Sequence, residues 1–292
     1  MPCYINLPLR WVHKQPAWLD WFLKGQIAPE LGLDPGALAL PDSWHEAIAA
    51  QLRSAGLSCA VHLPFLGIEP CDKDSVNASA ARAALRRGAE LASLYGAAHM
   101  IGHPSFRPPK PGREKDDIAG DWMEKSLLAW GELPRIGNAP LFLENTYETS
   151  PKAIAALVSA LHRDAAEGES IGVCFDVGHW HSFAACSTED ELAVWLDAYT
   201  GFAVHLHLHD NDGTEDQHKG LGVGTVPLAV LFTCLRQKAL GVTATLEPHD
   251  VRAFTESINW LNAHSDAAAY IDWMRPCLEA LPLDEMEKNL AI

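Results

Sequence analysis

The sequence predicts an α/β fold, a single closed (β/α)8 barrel of the TIM type over residues 1–292. Short β-branched or apolar runs alternate with longer helix-period segments from one end of the chain to the other, the pattern of repeated βα units around a parallel sheet. About eight such units can be counted, which suits a closed barrel better than an open sheet. No clear linker interrupts the series, and 292 residues is an ordinary length for a barrel of one domain.

The strand candidates begin near Cys3, Ala37, Ser58, Ala98, Ala139, Ile171, Ala203 and Val242, each followed by a helical pattern or a loop leading into one. In the third unit Asp74 or Ser75 can cap a helix on which Ala81, Ala84, Leu85, Gly88, Leu91, Ala92 and Tyr95 form one apolar face. After the fourth strand comes RPPKPGREK, residues 107–115, where prolines prevent regular structure and four basic residues gather. This is a solvated loop on the plain reading. On the other reading it is a rim where Arg107 and Lys110 hold an anionic group of a substrate. Residues 267–292 read as a last helix and a tail.

Composition narrows the function. No apolar run approaches the roughly 18 residues that a membrane span needs. The opening MPCYINLPLRWVHK has no basic segment followed by an apolar one, so a cytoplasmic location is expected. Seven scattered cysteines without a CxxC pair read as reduced thiols. A formal charge of −16 opposes nucleic acid and anionic membranes, because phosphate binding relies on Lys and Arg. A small-molecule partner remains, and nothing in the chain sets the oligomeric state.

In a barrel of this kind the carboxy-terminal strand ends form the active-site face. Strand three, SCAVHLPF, ends around His62; strand four, AHMIGHP, at His103; strand five, LFLEN, at Glu144. Strand six, IGVCFDVGH, ends at Asp176 with His179 just beyond, strand seven carries His207, and strand eight, TATLEPHD, ends at Glu247. Six successive strands thus end in a side chain able to bind a divalent metal. Alternation puts His205, His207 and His209 on one side and Val204, Leu206 and Leu208 on the other, toward the helices. Burying so many polar groups without partners would cost several kcal/mol each, so a metal cluster is the expected way to satisfy them.

Asp216 and His218, spaced Asp-x-His in a loop, join the candidate ligands. His205, His209 and His181 read as donors that orient ligands, the last two also as substrate contacts. Asp210, Asp212 and Glu215 read as a solvated turn. Of the ten tryptophans, Trp11, Trp18 and Trp21 suit helix faces packed on the barrel. Trp180, between His179 and His181, is expected at the mouth as a stacking surface for a flat substrate group.

HLPF, GHP, LENT, CFDVGH, HLHD, DQH, GLGVG and LE follow one another between Ser58 and Glu247. As an ordered set they resemble the xylose isomerase-like barrel superfamily, the AP endonuclease 2 family, which includes endonuclease IV and many sugar isomerases and epimerases. For the sugar enzymes the resemblance implies one metal, Mn, Mg, Co or Zn, on Glu144, Asp176, His207 and Glu247, with glutamates moving a proton next to a carbonyl. For endonuclease IV-like enzymes it implies up to three zinc ions. His62, His103 and Glu144 would hold the first; Glu144, Asp176, His207 and Glu247 the second; His179, Asp216 and His218 the third.

A hydroxide between two of those metals would be the nucleophile on a phosphodiester. Glu144, Glu247 and His207 are the expected catalytic residues. The basic, aromatic-bearing loops that grip a bent duplex are missing, so nucleic acid is an unexpected substrate. HLPF and the HLHDND run also resemble a branch of phosphodiesterases that remodel cobamides. The leading expectation is therefore a zinc hydrolase acting on a small phosphoester. The alternatives are a single-metal sugar or sugar-phosphate isomerase or epimerase, and a barrel that binds sugar or metal without turnover.

Overall fold

In the computed structural model, which describes residues 3–106, 118–165 and 170–273, eight short parallel strands alternate with helices around a ring. β1 (Tyr4–Pro8) leads to α1 (Leu9–Lys14) and α2 (Ala17–Gly25), and β2 (Pro29–Gly32) to α3 (Pro35–Leu38) and α4 (Asp42–Ser54). β3 (Ala60–His62) is followed by α5 (Ser75–Tyr95), β4 (Met100–Gly102) by α6 (Ile118–Trp130) and α7 (Leu133–Gly137), and β5 (Leu141–Glu144) by α8 (Lys152–Asp164). β6 (Ile171–Asp176) runs straight into α9 (Val177–Ser182) and then α10 (Glu189–Ala198). β7 (Val204–Leu208) precedes α11 (Leu228–Gln237), and β8 (Val242–Leu246) precedes α12 (Val251–Ala263) and α13 (Ser265–Tyr270). Tyr4 pairs with Thr245 and Ile5 with Leu246, which closes the barrel and leaves no free sheet edge.

The strands themselves form the barrel wall, and most of their residues are buried on both faces. In β7 the side chains of Val204, Leu206 and Leu208 join the apolar shell beneath the helices, while His205 and His207 alternate with them and are fully buried. α5 starts where the sequence indicates: the Asp74 carboxylate accepts the Val76 and Asn77 N–H groups at 2.8 and 3.3 Å. It ends at Gly96 in the left-handed conformation. Its expected apolar face is buried except for the partly covered Ala84. Trp18 and Trp21 pack edge to face at 4.9 Å on α2, inside the core, with Trp11 against Trp18 at 5.1 Å.

One strand is not where the pattern puts it. The second strand is Pro29–Gly32, and Ala37 belongs to α3. Asp34 is the reason: its carboxylate caps the Ala37 N–H at 2.9 Å, and Pro35 supplies a preset φ at the start of a helix. The apolar run from Ala37 thus becomes a helical turn, while the short segment PELG, with Glu30 buried in its middle, makes the strand. Cys3, Cys59, Cys71, Cys174, Cys186 and Cys234 are all free, as the spacing predicts. Among the described residues no helix is long and apolar enough to cross a membrane.

Gly102 in β4 lies flush on the buried indole of Trp130, leaving no room for a methyl group. Gly102→Ala is expected to cost about 1–3 kcal/mol, as overpacking does. A thermal melt followed by circular dichroism should show a lower Tm; an unchanged Tm would contradict this packing.

Candidate metal centre

The nine expected ligands come together at the carboxy-terminal face of the barrel. His62 and Glu144 end their strands, while His103 and Glu247 follow theirs by one residue. Asp176 ends β6 and accepts the His179 N–H at 2.6 Å, which sets His179 in the first turn of α9. Asp216 and His218 enter from the loop between β7 and α11. His62, His103, Glu144, His179, Asp216, His218 and Glu247 line one cavity of about 320 Å³, and Asp176 and His207 lie fully buried against it. That volume suits a small molecule.

The imidazoles are set to offer lone pairs. His62, His179 and His218 each hold Nδ1 2.9 Å from a backbone carbonyl, of Leu63, Asn145 and Glu247 respectively. A carbonyl can only accept, so Nδ1 carries the proton and a neutral ring is left with its free lone pair on Nε2. Those Nε2 atoms converge. His62 and His103 approach Glu144 Oε2 at 3.4 and 3.0 Å and each other at 3.1 Å. His179 and His218 approach Asp216 Oδ2 at 3.3 and 3.1 Å. His207 Nδ1 stands 3.1 Å from Glu144 Oε2, 3.3 Å from Glu247 Oε1 and 3.9 Å from Asp176 Oδ2, with neither ring nitrogen in an aligned hydrogen bond.

This arrangement fits divalent cations. Arg10 is the one Lys or Arg among the described residues lining the cavity, so Glu144, Asp176, Asp216 and Glu247 have almost no fixed positive charge to face. Neither ring nitrogen of His207 has an aligned partner and Asp216 Oδ1 is likewise unpartnered, so one imidazole lone pair and one carboxylate oxygen are open to a cation. One donor atom each from His62, His103 and Glu144 lie within 4.8 Å of one another, as do those from Glu30, His62, His207 and Glu247. A mixed imidazole and carboxylate set suits zinc, and also manganese or cobalt, better than the all-oxygen shell magnesium prefers.

Electrostatics follow from burial and crowding. Burial alone would raise the Glu144 carboxyl, but His103 and His207 outweigh it and hold it well below the usual range. Burial pushes Glu247 up to about 7. Around the ligands, Asn145 ties β5 to β6 by accepting the Asp176 N–H at 2.9 Å and donating to the Asp176 carbonyl at 3.0 Å. His209 Nε2 lies 3.2 Å from both Asp176 oxygens and so fixes the orientation of that carboxylate. Its ring stacks on His218 at 3.9 Å, which stacks on His249 at 3.6 Å. Gly178 permits this, since a Cβ there would strike the His209 ring.

Several expectations change. Trp180 is buried in the shell between barrel and helices against Phe175, not at the mouth, because the short helix turns it away from His179. His181 is no substrate contact: Nδ1 donates to the Cys186 carbonyl at 2.7 Å and Nε2 accepts from Thr225 Oγ1 at 2.8 Å, leaving no free nitrogen. His209, 1% exposed, supports Asp176 and does not line the cavity. Asp210 is not part of a solvated turn. It is fully buried and accepts the N–H groups of Asn211, Gly222 and Val226, gathering the loop that carries Asp216 and His218. Arg107 and Lys110 lie outside the described residues.

The sequence reading passed over Glu30, His99, His249 and Glu148. Glu30 sits on the misplaced strand, and His249 follows Glu247 by two residues in LEPHD, a signal that alternation along the chain could have used. His99 is buried with neither nitrogen partnered. Glu148 accepts N–H groups from Thr146 and Phe106 at 2.5 and 2.8 Å, fastening the loop after His103 to the one after Glu144.

With this geometry in view, a family model for the xylose isomerase-like TIM barrel matches residues 27–277. The chain belongs to that family. A curated relative, an uncharacterized protein of Methanocaldococcus jannaschii, is 19% identical over 210 residues, 68% of this chain and 66% of the relative, just under two thirds of its length. The TTHB071 protein of Thermus thermophilus, in a crystal soaked with ZnCl2, superposes with a TM-score of 0.69 at 25% identity, covering 90% of this chain and 97% of that one. A D-tagatose 3-epimerase-like protein gives 0.69 at 14% identity, over 92% and 98%. The 3-keto-D-glucoside 4-epimerase YcjR of E. coli gives 0.64 at 15%, over 90% and 99%. Proteins described as epimerases or epimerase-like thus share this fold with the chain, at identities of 14 and 15%.

Burial raises the Glu148 carboxyl to about 7 from an ordinary 4.5. The folded protein thus binds a proton there more tightly than the unfolded chain, and stability falls as pH rises from 4.5 to 7. Relative to Glu148→Gln, the parent protein should lose on the order of 1–3 kcal/mol across that window. Urea unfolding at a series of pH values checks this, and parallel stability curves for the two proteins would refute it.

Proposed function

We propose that this protein is a divalent-metal-dependent enzyme that isomerises or epimerises a small sugar or sugar phosphate. One observation carries the reading: Glu144 and Glu247 both approach His207 Nδ1, at 3.1 and 3.3 Å, with Asp176 at 3.9 Å, at the floor of a cavity sized for a small molecule. Glu144, Asp176, His207 and Glu247 would hold the ion. A divalent cation there supplies polarisation of the substrate's carbonyl and hydroxyl oxygens.

The side chains do the rest. Glu247 takes the hydrogen at the carbon beside the carbonyl as a proton. Glu144 is the second carboxylate of the pair and exchanges the proton on the other half of the reaction. Phe65 and Leu66, exposed at the cavity wall, offer an apolar surface for a sugar face and help exclude water. Arg10, half-exposed at the rim and only loosely paired with Asp34 at 3.9 Å, is placed to meet a phosphate or a ring of hydroxyls.

A second reading, hydrolysis of a small phosphodiester with up to three zinc ions, is favoured by a separate observation. His179 and His218 converge on Asp216 Oδ2, and His62 and His103 on Glu144 Oε2. Chemistry with one cation gives no physical reason to keep those additional donors. Nucleotide-loop phosphodiesters of the cobamide kind are the substrates that reading would put first.

Elemental analysis of protein purified without chelator or a metal-binding tag separates the two, with about one ion per chain expected for the epimerase and about three for the hydrolase. His218→Ala should lower turnover by a small factor in the first case and by about 100-fold or more in the second. Glu144→Gln should abolish activity and lower metal content in both. Full activity with unchanged metal content in that variant would sink the metal-centre reading.

A further inference from the structure

The floor of the barrel holds a feature that the ligand set does not use. Glu30 on β2 is 1% exposed, and its Oε1 lies 3.3 Å from His207 Nε2. Neither atom is in an aligned hydrogen bond, and the Cys174 thiol also lies against the His207 ring. His207 Nδ1, on the other edge of the ring, faces Glu144, Asp176 and Glu247. His62, His179 and His218 fix their tautomers through a backbone carbonyl, whereas His207 has a buried carboxylate in that place.

The carboxylate is itself held from behind. Thr245 Oγ1 donates to Glu30 Oε2 at 2.7 Å, which commits the single hydroxyl proton. Thr245 can then only accept at its contact with His205 Nε2, 2.9 Å away, so His205 carries its proton on Nε2. His205 Nδ1 is left to accept from Thr243 Oγ1 at 2.6 Å. The chain Thr243, His205, Thr245, Glu30 is therefore consistent at every link, and it leaves Oε1 of Glu30 free for one donor.

From this we propose that Glu30 is a positioning residue for the metal centre: it takes the Nε2–H of His207 and so presents the Nδ1 lone pair to the cation. The inference rests on the metal-centre reading and holds for either reaction. Carboxylates behind ligating histidines orient the ring and raise its basicity, and losing one typically weakens metal affinity by about 10–100-fold. Glu30→Gln keeps the volume and one acceptor oxygen but removes the charge, so it should fall short of the full loss. Thr245→Val, close in shape, removes the hydroxyl behind Glu30 while keeping the backbone pairing of Thr245 with His207 across β7 and β8.

The test is zinc affinity of the full chain, measured by competition with a chromophoric chelator, alongside the thermal midpoint of each metal-free variant. Expected are about 10–100-fold weaker binding for Glu30→Ala and a smaller but measurable loss of about 3–10-fold for Glu30→Gln and Thr245→Val. Adding Glu30→Ala to His207→Ala should weaken binding no further than His207→Ala alone, a non-additivity that a merely structural role would not produce. If Glu30→Ala does not fold, the Gln and Val variants carry the test. Parent-like zinc affinity in both, with the parent protein binding zinc, would overturn this inference alone. A parent protein that takes up no divalent metal would overturn the metal-centre reading and this inference with it.

Discussion

The constraint on which the site depends is the confinement of carboxylates where almost no fixed cation can reach them. Glu30, Glu144, Asp176 and Glu247 are each at most 8% exposed, and Asp216 stands beside them. Isolated, such groups would be too costly to keep ionised in a barrel interior. The fold meets this with imidazoles, which can be cations or neutral donors as circumstances require. The surrounding architecture serves that compromise: parallel strands deliver the groups to one face, and the loop between β7 and α11 closes around them.

Much of this was legible in the chain itself. The period-2 histidines of β7 and the polar residues at successive strand ends follow from alternation in a sheet buried on both sides, and the structure assembles all nine expected ligands. What misled was adjacency. Trp180 and His181 are neighbours of His179 in the chain, but a helix rotates each residue by about 100°, so they face the core and the neighbouring loop. Asp210 looked solvated because it opens a run of polar residues, and only its tertiary acceptor role explains its burial.

Glu30 was illegible for another reason. A four-residue strand that begins with proline and ends with glycine carries little periodicity, and the apolar run beginning at Ala37 gave the stronger local signal. The cap by Asp34 decided between them, and caps are short-range features that a pattern of hydrophobic residues does not register. His99, His205 and the threonines of β8 become meaningful only once eight strands bring them face to face.

The His209, His218 and His249 rings form a continuous column from the Asp176 carboxylate to the cavity wall. His218, its middle member, sits at φ 47°, a left-handed backbone that a non-glycine residue adopts only when its surroundings insist. The insistence comes from hydrogen bonds and stacking within the protein: Asp210 shapes the loop and the Glu247 carbonyl takes the Nδ1–H. The entropy of ordering these donors is therefore spent during folding. On the proposed reading, a cation arriving at this mouth would meet a finished receptacle, and its binding energy would go into affinity with very little into assembling the loop.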